Sequence, residues 1–113
     1  MHLNEIRNRV HDNAKTKGFW DKKRLNADEL NGKLMLVVSE IAEACEEVRM
    51  DGFEPNAVNY SPTKKPEGFS IEIADAVIRL LDLCGALDID IEQAIMLKHE
   101  YNVNRPHMHG KRA

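Results

Sequence analysis

The chain is poor in the residues that staple or stiffen small proteins. Two cysteines in 113 residues make no disulfide framework. Cys45 and Cys84 both lie in apolar stretches and read as reduced core residues, too few for a zinc site. Aromatic residues make up only 5%, so a core has to be built from Leu, Ile, Val, Ala and Met. No apolar run approaches the roughly 18 residues that cross a bilayer. The opening residues Met1-His2-Leu3-Asn4-Glu5 lack the basic-then-apolar layout of a signal peptide, and a cytoplasmic chain with no membrane partner is the expectation. Basic residues are not in excess: 16 Lys and Arg face 19 Asp and Glu, for a formal charge of −3. That argues against a stable nucleic-acid partner, whose phosphates call for a basic surface.

What the chain does have is helical periodicity over a length that makes one domain, residues 1–113. Leu3, Ile6, Val10 and Ala14 place a first helix from about Leu3 to Lys17, stopped by Gly18. Asn26 and Glu29 form a capping box for a long second helix, about Ala27 to Met50, ended by Gly52. Ser70 caps a third, Ile71 to about Cys84, with Gly85 closing it. Asp90 and Gln93 open a fourth, about Ile91 to Val103, which Arg105-Pro106 terminates. Between the second and third lies Asp51–Phe69, rich in Pro and Gly, a long connection that fits a short hairpin or a helical turn equally. The fold expected is all-α, a four-helix bundle.

The third helix is apolar nearly all round, with Glu72, Asp75, Arg79 and Asp82 as its only polar seam. A helix of that kind is buried on more than one side. In so short a chain this points to an interface with a second copy.

Two acidic pairs carry the chemistry. Glu40 and Glu43 are three apart on the second helix, with the peripheral Glu47 a turn further, and Glu72 and Asp75 are three apart on the third. Residues at that spacing share a helix face. Side-by-side packing would therefore bring four carboxylates to one spot, where their repulsion is relieved by a divalent cation. Mg²⁺ takes such oxygen ligands and is the usual partner of substrate phosphates. Lys98, Asn102 and Arg105 share a face at the end of the fourth helix and offer phosphate donors. Trp20, the only tryptophan, offers either core packing or a stacking surface for a nucleobase. His107 and His109 form a weaker pair in the polar tail.

In order and surroundings these residues resemble the MazG family of all-α nucleotide pyrophosphohydrolases, most closely its small single-domain members of phage or integron type. Glu40-x-x-Glu43 is followed at a long interval by Glu72-Ile73-Ala74-Asp75. Around them stand Lys17-Gly18-Phe19-Trp20-Asp21, Ser39-Glu40-Ile41-Ala42-Glu43-Ala44, Pro66-Glu67-Gly68-Phe69 and Lys98-x-x-x-Asn102-x-x-Arg105-Pro106. The likeness spans Gly18 to Pro106. Ser39 departs from it, standing where many members carry a further glutamate.

The resemblance implies the MazG fold, assembled as a homodimer or a dimer of dimers (homotetramer). It also implies Mg²⁺-dependent hydrolysis of a nucleoside triphosphate, (d)NTP, to (d)NMP and pyrophosphate, a house-cleaning activity, with Mn²⁺ as a substitute ion. Glu40, Glu43, Glu72 and Asp75 would hold the metal, Glu43 and Glu40 would be catalytic, and Trp20, Lys98, Asn102 and Arg105 would bind substrate. The alternative is a helical nucleotide-binding or interaction protein of the same fold without turnover, which the missing carboxylate at Ser39 favours.

Overall fold

The computed structural model describes residues 2–20 and 25–106. Among these residues are four helices and one minimal hairpin: α1 (Leu3–Thr16), α2 (Ala27–Val48), β1 (Asn59–Tyr60), β2 (Pro66–Glu67), α3 (Phe69–Ala86) and α4 (Ile91–Val103). The all-α expectation holds. No helix among the described residues is long and apolar enough to cross a membrane.

Local chemistry accounts for most boundaries. Gly18 ends α1 at φ 83°. Its amide donates to Lys15 O and that of Phe19 to Ala14 O, each at 3.0 Å, the paired bonds that close a helix on a left-handed residue. The capping box of α2 is complete: Glu29 N donates to Asn26 Oδ1 at 2.8 Å and Asn26 N to Glu29 Oε1 at 3.1 Å. Asp90 caps α4 by accepting from Gln93 N at 3.1 Å. Its carboxyl is held below the usual range by the Asn4 side-chain amide and then by that Gln93 bond.

Three expectations are corrected. Ser70 does not cap α3; the helix starts at Phe69 after Gly68, with no side-chain cap. Gly85 does not close it either. The helix runs on to Ala86, and the left-handed residue is Asp88 at φ 55°, behind which Ile89 N donates to Cys84 O at 2.8 Å. Gly85 serves packing instead, since a Cβ there would lie 2.6 Å from His11 Cβ, so its bare backbone lets α1 approach. Cys45 is exposed on α2 and Cys84 half-buried, rather than both lying in a core.

The long connection resolves into the hairpin, with Asn59 opposite Glu67 and Tyr60 opposite Pro66. Phe53 packs edge-to-face on Phe69 at 5.4 Å and anchors the connection to the start of α3.

α3 lies between α1 and α2 and packs along both, while α4 rests on α1. Asn4 pins the start of α4: its Nδ2 donates to Asp90 Oδ1 at 2.9 Å, and its Oδ1 accepts from Ile91 N at 3.2 Å. Beyond that anchor, Ile95, Met96, Leu97, Tyr101 and Val103 are exposed, so a single chain does not close a four-helix bundle. Among the described residues the buried apolar side chains are few: Val37, Ala44, Ala76, Leu81 and Leu83. The surface, 8997 Å², is well above the roughly 6,300 Å² expected of a compact chain of this length. The radius of gyration, 16.9 Å, likewise exceeds the roughly 13 Å expected. Two apolar stripes face outward at alternating spacings of four and three, Leu34, Val38, Ile41, Cys45 and Val48 on α2 and Ile73, Val77 and Leu80 on α3.

Gly52 and Gly68 separate conformational from steric cost. Both have positive φ, 72° and 139°, but a Cβ at Gly52 meets nothing within 4 Å, whereas one at Gly68 would run into the Ala57 carbonyl oxygen. Gly52→Ala is expected to lower stability by about 1 kcal/mol. Gly68→Ala should cost at least about 2 kcal/mol, both read by urea denaturation.

Candidate metal and ligand cleft

A cleft of about 910 Å³ opens between α1, α2 and α3. α2 contributes Lys33, Leu36, Glu40 and Glu43, and α3 contributes Glu72, Asp75, Arg79 and Asp82. Each set follows the spacing three, four, three, which confines it to an arc of about 80° on its helix. The polar seam of α3 is thus turned to the cleft, with Ile78 and Leu83 beside it. The pairings run in opposite senses along the two helices. Glu43 lies beside Glu72, Glu40 bonds Arg79, and Lys33 meets Asp82 through Trp20, so α2 and α3 are antiparallel.

One end of the cleft is acidic. Glu40, Glu43 and Glu72 each place one carboxylate oxygen within 4.8 Å of the others. Glu40 is buried at 7% exposure, and its Oε1 accepts from Arg79 Nε at 2.9 Å. Glu43 is exposed, and Glu72 lies between, with Oε2 shut off from solvent and without a hydrogen-bond partner among the described residues. Burial pushes the Glu72 carboxyl up to about 7, and the adjacent Glu43 and then the charge of Asp75 add to the rise. Asp75 lines the same cleft outside this tight trio. Its carboxyl is raised by burial and then by Glu40, against the pull of Arg79 and Lys65. The donors are all oxygen, the kind that suits a hard divalent cation.

The other end is aromatic. Phe19 and Trp20 line it, and the ammonium of Lys33 lies over the Trp20 ring, 4.5 Å from its centre. Trp20 Nε1 donates to both Asp82 oxygens at 2.9 Å, and His11 Nδ1 is 2.8 Å from Asp82 Oδ1. From Glu72 to Asp82 the helix rises roughly 15 Å.

The structure therefore brings Glu40, Glu43, Glu72, Asp75 and Trp20 to one cleft. It does not bring Lys98, Asn102 or Arg105 there within one chain, since none of them lines it. α4 rests on α1, and Lys98 and Arg105 lie against the Tyr101 ring at 4.9 and 5.4 Å. Ser39 is exposed and donates its hydroxyl to Leu36 O at 2.9 Å. His107 and His109 lie outside the described residues. Among the described residues, the cations that line the cleft, Arg9, Lys33, Lys65 and Arg79, have no role in the sequence reading. The seam on the third helix was the available signal for Arg79 and Asp82; Arg9 and Lys33 offered none.

The raised Glu72 carboxyl fixes the sign of a pH effect. A carboxyl whose folded pKa is above its unfolded value binds more protons when folded, so metal-free stability should fall as pH rises from about 4.5 to about 7. Glu72→Gln should flatten that decline in melting temperature between pH 5 and pH 8.

Compared with known proteins, the chain matches no family model, no curated relative and no solved structure, so its chemistry rests on the geometry of the cleft.

Proposed function

We propose that this chain is a Mg²⁺-dependent nucleoside triphosphate pyrophosphohydrolase of the MazG type, converting (d)NTP to (d)NMP and pyrophosphate. The supporting observation is the order of chemistry along one cleft: clustered carboxylates at one end, Arg79 in the middle, and Trp20 with Phe19 at the other. That order suits a molecule with a charged chain at one end and a flat ring at the other.

Glu40, Glu43 and Glu72, supported by Asp75, would hold Mg²⁺ or Mn²⁺; the partnerless Glu72 Oε2 and the all-oxygen donor set fit such an ion. When bound, the ion supplies charge neutralisation for the phosphates and an acidified water. Glu43 is the exposed member of the trio and is the general base, taking a water proton on its free carboxylate oxygen. Glu40, engaged by Arg79, is the weaker candidate for that role. The water oxygen attacks a phosphorus of the α–β anhydride in line. The bond from that phosphorus to the bridging oxygen breaks, leaving nucleoside monophosphate and pyrophosphate. Arg79, Lys65 and Arg9 face the cleft and receive phosphate oxygens.

The outward stripes of α2 and α3 are the face on which a second copy packs, giving a homodimer or a pair of dimers. Coiled-coil spacing on both helices and the surplus surface support this. Lys98, Asn102 and Arg105, exposed or half-buried on α4 and just beyond it, would then reach substrate only in the assembly. A second reading, a nucleotide-binding protein without turnover, is favoured by the Arg79–Glu40 ion pair, which already neutralises one carboxylate.

Incubation with dNTPs and Mg²⁺ should release pyrophosphate, and EDTA should stop it. Glu43→Gln and Asp75→Asn should each lower kcat by about 100-fold or more. Nucleotide binding without pyrophosphate release in the wild type would establish the second reading. Val77→Glu, in the α3 stripe, should convert the assembly to monomer in sedimentation velocity.

A further inference from the structure

Trp20 stands two residues after the Gly18 stop and is half-buried. It borders the cleft and also a second cavity of about 270 Å³, lined with it by Phe19, Leu25, Glu29, Gly32, Lys33 and Leu36. The Lys33 ammonium lies over its ring, 4.5 Å from the centre. A polar contact fixes its direction as well. Its Nε1–H is shared between both oxygens of Asp82 at 2.9 Å, a charge-assisted bond from a half-buried position.

Asp82 is itself braced. His11 Nδ1 lies 2.8 Å from its Oδ1, and the His11 ring meets the Trp20 ring edge-on at 5.5 Å. The side chains of His11 and Asp82 are only 15% and 19% exposed. Gly85, one turn beyond Asp82, leaves the space into which His11 fits. Asp82 thus joins three elements: α3, α1 through His11, and the α1–α2 connection through Trp20.

We propose that Asp82 is the positioning residue of the ring-binding end of the cleft, holding the Trp20 indole in the orientation that receives the base of a nucleotide. Asp82 acts through Trp20 and lies at the opposite end of the seam from the carboxylate cluster, so its effect is confined to ligands that carry a ring. The inference rests on the nucleotide reading of the cleft and adds to it the residue that sets base recognition.

The test is calorimetric binding, with Mg²⁺, of α,β-imido deoxynucleoside triphosphates of all four bases and of inorganic tripolyphosphate as the probe without a ring. Asp82→Ala should weaken the best-bound nucleotide by about tenfold or more and leave tripolyphosphate within about twofold. Asp82→Asn, which keeps an acceptor for the indole N–H, should recover part of the loss. Trp20→Phe removes the N–H but keeps a ring. Its loss and that of Asp82→Ala should fail to add in the double variant. Equal weakening of nucleotide and tripolyphosphate, no change in either, or additive losses would each overturn the positioning role alone. A wild type that binds no nucleoside triphosphate would overturn the nucleotide reading and this inference with it. Trp20 is the sole tryptophan, so its emission reports the clamp separately; Asp82→Ala should shift it to the red, and an unchanged spectrum would overturn the clamp itself.

Discussion

Like charge gathered between two packed helices is the constraint on which the rest depends. Glu40, Glu43, Glu72 and Asp75 all border the space between α2 and α3, and one of them carries a partnerless buried oxygen. A buried carboxylate either finds a positive partner or gives up its charge. This chain uses both routes at once. Arg79 bonds Glu40, and the Glu72 carboxyl is pushed into the neutral range, where a proton can remain. Glu43, the third of these neighbours, is left exposed to solvent. Helices that pack around such a site give up some stability to keep these acids together.

Much of this was legible in the sequence because it is local. Capping residues and glycine stops are short-range chemistry, and they placed α1, α2 and α4 to within a residue or two. The pairing of Glu40 and Glu43 with Glu72 and Asp75 was legible because helical spacing fixes faces. The fourth helix shows where such reasoning ends. Lys98 and Asn102 are on α4 and Arg105 lies just past its end, but which way they turn depends on the Asn4 anchor to Asp90, a contact between residues far apart in sequence. Gly85 is a similar case. Its position near a helix end looks like a stop until His11 is seen to need the room.

Cys45 was misplaced for a related reason. It belongs to an apolar stripe, and stripes are assumed to turn inward. Here α2 has two apolar faces, one against α3 and the other facing out with Leu34, Val38 and Ile41. A sequence pattern records that a face is apolar and not whether its cover lies in the same chain. The third helix is apolar nearly all round for the same reason: α1 and α2 cover it on two sides, while Ile73, Val77 and Leu80 face out.

The hairpin has a mechanical consequence. Lys65 stands beside β2, its charge acting on Asp75. Two residues after β1's partner strand begins, Gly68 is wedged beneath the Ala57 carbonyl and passes straight into the first turn of α3. The spacing between the Lys65 cation and the Glu72 and Asp75 carboxylates is therefore set by a short stretch of backbone, held on one side by the strand pairing and on the other by the Ala57 carbonyl.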